Sequence, residues 1–126
     1  MFLKLDSLIR ENLAIEPSYD QKNYVSYQIS NYNWLEVRTF ANVLALRFLI
    51  KKNSMEQTII ATNLGVKEFD TDDSVSEKLN LPSSVNIKNR NETADRILLR
   101  IKDDFDIAKP ALLNFLKDTI KNSPRA

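Results

Sequence analysis

The sequence has no cysteine, no histidine and a single glycine, Gly65, among its 126 residues. Without thiols there is no disulfide framework, no thiolate nucleophile and no cysteine-based zinc site. Without imidazole the usual near-neutral proton shuttle and the commonest metal ligand are missing, and a Ser-His-Asp triad cannot be assembled. One glycine excludes a GxGxxG turn and a Walker loop, because both need several residues without a Cβ where backbone meets phosphate. An excess of one charge is lacking too: Lys+Arg is 18 and Asp+Glu is 17, a net charge of +1. That total speaks neither for nor against nucleic acid; only local clustering does. No run approaches the roughly 18–20 apolar residues of a membrane span. The opening MFLKLDSLIREN puts Asp6, Arg10 and Glu11 where a signal peptide needs an unbroken apolar stretch. The expected location is the cytoplasm, with no membrane partner and no cofactor.

What is present is core-forming material. Hydrophobic residues make up 43% of the chain. A chain of this length fits one domain, residues 1–126, able to bury roughly two thirds of its unfolded surface. The abundance of Lys, Asn and Ile fits an AT-rich bacterial genome.

Phe2, Leu5, Leu8, Ile9 and Leu13 recur at helical spacing and predict a helix over 2–14, stopped by Pro17. YVSYQIS alternates and predicts a strand, followed by a turn over Ser30–Asn33. WLEVRTF and VLALRFLI predict two further strands joined at Ala41-Asn42. The second is almost wholly apolar and belongs at the centre of a sheet. TIIAT, residues 58–62, reads as a fourth strand before a turn at Asn63-Leu64-Gly65. Residues 66–84 form an acidic excursion with a short helix at 74–80 capped by Ser74. Residues 85–88 and 96–101 read as strands. Leu112, Leu113, Phe115, Leu116 and Ile120 mark a final helix, with Pro110 in its first turn and Asp103, Asp104 and Asp106 placed at its start. The expected fold is α+β: an antiparallel sheet of about five strands with the N- and C-terminal helices packed on one face.

In its order of elements the chain resembles the small uncharacterised domain at the C-termini of GmrSD-like restriction proteins. That domain also accompanies predicted nucleases and is sometimes labelled a putative transport protein. The resemblance rests on FLKLDSLIREN, KNYVSYQI, NWLEVRTFANVLALRFLI and RILLRIKDDFDIAKPALLNFLKDTI, which are spread from residue 2 to residue 120. ETADRILLRI lacks the Gly and Trp that the family carries before its last strand. The resemblance implies a companion of nucleic-acid-handling or defence proteins, and it supplies no catalytic residue.

Four chemical readings compete. A metal-dependent nuclease needs paired carboxylates and a lysine. The nearest pattern is Asp20 with Glu36-Val37-Arg38, where Arg38 is a poor base. The bland alternative is a cross-strand charge pair. A calcium loop counted from Asp70 fails at Val75 and Leu81, where glycine and glutamate are required, so EFDTDDSVSE reads as a solvated excursion. Basic residues Arg38, Arg47, Lys51, Lys52, Lys88, Arg90, Arg96, Arg100 and Lys102 flank the predicted strands. Of these, Arg38, Arg47, Lys88, Arg96 and Arg100 are the expected contacts to phosphate or an acidic partner, with Tyr24, Tyr27, Tyr32 and Trp34 close by for stacking. The alternative is charged strand edges over an aromatic core. Tyr32 and Trp34, with Phe40, are also the candidate anchors for a larger restriction-type protein or a second copy of the chain. The expectation is a non-catalytic binding or assembly module; a nuclease fragment and a dimerisation domain are the alternatives.

Overall fold

Alternating apolar and polar side chains become a pleated sheet wherever one face finds a cover. The computed structural model describes residues 1–68 and 82–124. The order is α1 (Phe2–Leu13), β1 (Pro17–Ser18), β2 (Val25–Ile29), β3 (Tyr32–Phe40), β4 (Val43–Lys51), α2 (Gln57–Leu64), β5 (Lys67–Glu68), β6 (Ser84–Asn89), β7 (Ala94–Ile101) and α3 (Pro110–Lys121). The strands form one sheet in the order β1-β2-β3-β4-β7-β6-β5. Neighbours are antiparallel except β5 and β6, which are parallel. The fold is therefore α+β, with a 7-stranded sheet where about five strands are expected. The two additions, β1 and β5, are two-residue edge strands too short to leave a periodic signal.

β4 lies at the centre of the sheet, as its apolar run predicts. The β2–β3 hairpin turns on two residues, Ser30 and Asn31, both with positive φ. That is the geometry matching the twist of the flanking strands, so Tyr32 and Asn33 belong to β3 and not to the turn. Across this hairpin Tyr27 faces Leu35 but Gln28 faces Asn33, so β3 carries one extra residue at Trp34. The bulge resets the alternation. Tyr32 before it, Trp34 in it, and Leu35 and Val37 after it are all buried.

Leu35, Phe48, Ile97 and Ile87 lie side by side across four strands, as do Val37, Leu46, Leu99 and Val85. These rows belong to the main core, together with Leu5 and Ile9 of α1, Ile60 and Leu64 of α2, and Leu112, Phe115 and Leu116 of α3. The Phe48 ring stands edge-on between Trp34 (5.8 Å) and Phe115 (5.2 Å). Trp34 Nε1 donates to Thr119 Oγ1 at 2.9 Å, and Tyr32 and Ser123 share a hydroxyl–hydroxyl bond. On the α1 side the Tyr27 hydroxyl donates to Asp6 at 2.6 Å. Arg10 Nε donates to the same carboxylate at 2.9 Å.

Two sequence expectations fail here. Residues 58–62 are helical, not a strand: Ile60, Ala61 and Leu64 are buried on one side of α2. Gly65, at φ 69, ends α2 as a left-handed cap. The aspartates expected at the start of the last helix lie ahead of it. α3 begins at Pro110 after Lys109, with no acidic residue in its first turn. Asp104 instead accepts from the Ser83 backbone and hydroxyl, and Asp106 from the Ala108 backbone. The helix expected at 74–80 and the loop counted from Asp70 lie outside the described residues.

Candidate phosphate-binding face

Strand pairing fixes which side chains share a face, because directly opposed residues point the same way. Arg38 faces Ala45, which faces Arg100, which faces Ser84. Glu36 faces Arg47, which faces Leu98, which faces Asn86. Leu49 faces Arg96, which faces Lys88. The rows alternate with those of the core, so Arg38, Arg47, Lys88, Arg96 and Arg100 all stand on the opposite face.

The five are not equally placed for a ligand. Arg100 is 3% exposed, and its Nη1 donates to Ser84 Oγ at 3.3 Å. Burial pushes its guanidinium below the ordinary arginine range. It is part of the packed sheet and does not offer itself to a polyanion. Arg38 is half-buried over the Tyr24 ring, 6.0 Å from the ring centre, and its Nε has no acceptor among the described residues. At this end the face also holds a small apolar cluster of Val43, Ala45, Leu98 and Phe40.

Arg47 and Arg96 are half-buried at the other end, and Lys88 is exposed. They line two neighbouring concavities. One, about 320 Å³, is bounded by Asn31, Asn33, Glu36, Arg47, Arg90 and Arg96. The other, about 220 Å³, is bounded by Asn86, Lys88, Asn89, Arg90 and Arg96. Arg90 and Arg96 belong to both. Three cations stand against one carboxylate in the first and against none in the second. Asparagine amides fill the spaces between, and these both donate and accept. Arg90, exposed, was named among the basic residues flanking the strands but not among the five expected contacts. Its signal is its spacing of two from Lys88, which alternation carries to the same side.

The aromatic component does not assemble as expected. Tyr27 and Trp34 are fully buried and Tyr32 is 8% exposed, all in the main core. Tyr32 and Trp34 therefore cannot anchor a partner; they fill the space between β3 and α3. Of the four aromatics named for stacking, Tyr24 stands beside Arg38, and Tyr32, though 8% exposed, contributes to the lining of the first concavity; Tyr27 and Trp34 do neither.

Glu36 is a cross-strand neighbour of Arg47 and accepts from Asn33 Nδ2 at 3.1 Å. Asp20 lies in the connector between β1 and β2. Among the described residues no three Asp or Glu side chains converge as a metal site would require. No described helix is long and apolar enough to cross a membrane. No family model, curated protein or solved structure matches this chain.

Proposed function

We propose that the protein is a non-catalytic binding module. Its helices gather on one face of the sheet, and its opposite face receives a polyanion, with nucleic acid the favoured class. The observation that carries this reading is the convergence of Arg47, Lys88, Arg90 and Arg96 on two adjoining concavities. Guanidinium forks and an ammonium spaced along a groove match successive phosphates, and intervening amides add hydrogen bonds without demanding a base sequence. With the larger aromatics buried, stacking contributes little, so the binding is electrostatic and largely sequence-tolerant. The resemblance to the C-terminal domain of GmrSD-like restriction proteins points the same way, to a bacterial cytoplasmic companion of nucleic-acid-handling proteins.

The test is an electrophoretic shift with single-stranded DNA, duplex DNA and RNA at low and at physiological salt. A salt-sensitive complex with the wild-type chain, lost in Arg90→Glu/Arg96→Glu, is the expected result. No shift at low salt with any of the three would overturn the reading.

A further inference from the structure

A third concavity lies on the helical side of the molecule. It has a volume of about 630 Å³, within the range of ligand-binding clefts. Its lining is mixed: the apolar side chains Met55, Ile60, Leu64, Ala111 and Phe115 alternate with polar ones, mainly asparagines. Ile59 adds a large apolar side chain left 54% exposed at the rim.

The direction of the two walls gives the cleft polarity. Lys109 Nζ donates to the Leu64 carbonyl at 3.0 Å, tying the start of α3 to the end of α2. The Lys51 backbone donates to the Asn122 carbonyl at 2.7 Å, holding the end of α3 beside the turn that precedes α2. The helices therefore run in opposite directions. Glu56, from the start of α2, and Asp118, from the last turns of α3, meet at the same end of the trough. Both line it, no lysine or arginine does, and neither carboxylate makes an ion pair among the described residues. That end also lies beside the C-terminus of α3, whose carbonyls favour a cation. Asn63 and Asn114 line the walls, with side-chain amides bonded to no described residue.

We infer that this cleft docks a basic amphipathic helix of a partner protein. Its apolar side chains lie along the trough, and a lysine or arginine pair sits between Glu56 and Asp118. The trough follows α3, which is roughly 18 Å long at 1.5 Å per residue, so about three turns of a partner helix fit along it. This is the helix-in-groove mode, in which anchors at i, i+3 or i+4 and i+7 enter an apolar groove. The acidic end fixes the partner's direction. The inference is independent of the polyanion face, which lies across the sheet.

The test is fluorescence anisotropy of the full chain with a labelled synthetic helix about four turns long. The probe carries leucines on one face and two lysines at one end, and its counterpart carries glutamates there. Saturable binding of the lysine helix is expected, weakened about tenfold or more by Glu56→Lys/Asp118→Lys. Ile59→Asp should weaken it as well, with melting curves of all variants close to wild type. Equal affinity for the two helices, or full affinity in the charge-reversed variant, would overturn the inference. So would dimerisation of the chain that Ile59→Asp abolishes, which would place a second copy in the cleft. Binding of a small amine such as octylamine without binding of either helix would overturn it in favour of a small ligand.

Discussion

Trp34 shows how one residue joins sheet and helix. Its ring is fully buried against Phe48, and its Nε1 reaches Thr119 on α3. Truncating a buried tryptophan removes its transfer free energy and leaves a cavity. Trp34→Ala should cost about 3–5 kcal/mol in chemical denaturation. Trp34→Phe should cost less, because Thr119 Oγ1 still donates to the Leu116 carbonyl and stays satisfied. Tyr27 makes the matching contact to α1. Burial first, then the bond to Asp6, raises its hydroxyl well above the ordinary tyrosine value of about 10. The folded chain therefore keeps this proton at pH values where the unfolded chain has lost it. The stabilisation is complete below pH 10 and falls as pH rises beyond it. Thermal unfolding from pH 8 to 11 should show a loss of stability in the wild type that is smaller in Tyr27→Phe; identical profiles would refute the linkage. At this scale sequence reasoning named the right residues and gave some of them the wrong role. Tyr32 and Trp34 are conspicuous in composition, but nothing local announces a bulge that turns both inward.

At the scale of elements, legibility followed period. α1, β2, β3, β4, β7 and α3 carry sustained apolar patterns and were predicted within a few residues. α2 did not announce itself, because TIIAT offers β-branched residues in a run too short to separate period 2 from 3.6. The cue was Gly65, which the sequence reading takes as part of a turn and not as a helix cap. It sits in the left-handed region at φ 69, and a Cβ there would approach Lys109 Nζ to 3.1 Å, the same ammonium that holds the Leu64 carbonyl. Gly65→Ala should destabilise the chain by about 1 kcal/mol, read as a lower melting temperature. An unchanged or raised melting temperature would contradict this cap assignment. The aspartates before α3 misled for a related reason. Acidic residues favour a helix start only within its first turn, and Asp104 and Asp106 make loop and turn bonds to Ser83 and Ala108 instead.

For the molecule as a whole, the sheet separates two surfaces. α1, α2 and α3 contribute residues to the main core, and strand residues of the alternate rows line the cationic concavities. That Arg38, Arg47, Lys88, Arg96 and Arg100 share a face was legible from alternation once the strands were placed. That Arg100 is buried and Arg90 takes part was not, because exposure is a property of the assembled sheet. A DNA duplex held by Arg47, Lys88, Arg90 and Arg96 should show a slope of log affinity against log salt of about −3.6. The charge-neutralising Arg90→Gln/Arg96→Gln, which leaves a weaker complex to titrate, should reduce that slope by about 2. The most direct measurement is an NMR titration of the chain with a short DNA duplex, following the arginine Nε–Hε resonances. The resonances of Arg47, Arg90 and Arg96 should move together and saturate, while those of Arg10 and Arg100 stay in place. Shifts confined to the helical side, or none at low salt, would contradict the assignment of this face as the binding surface.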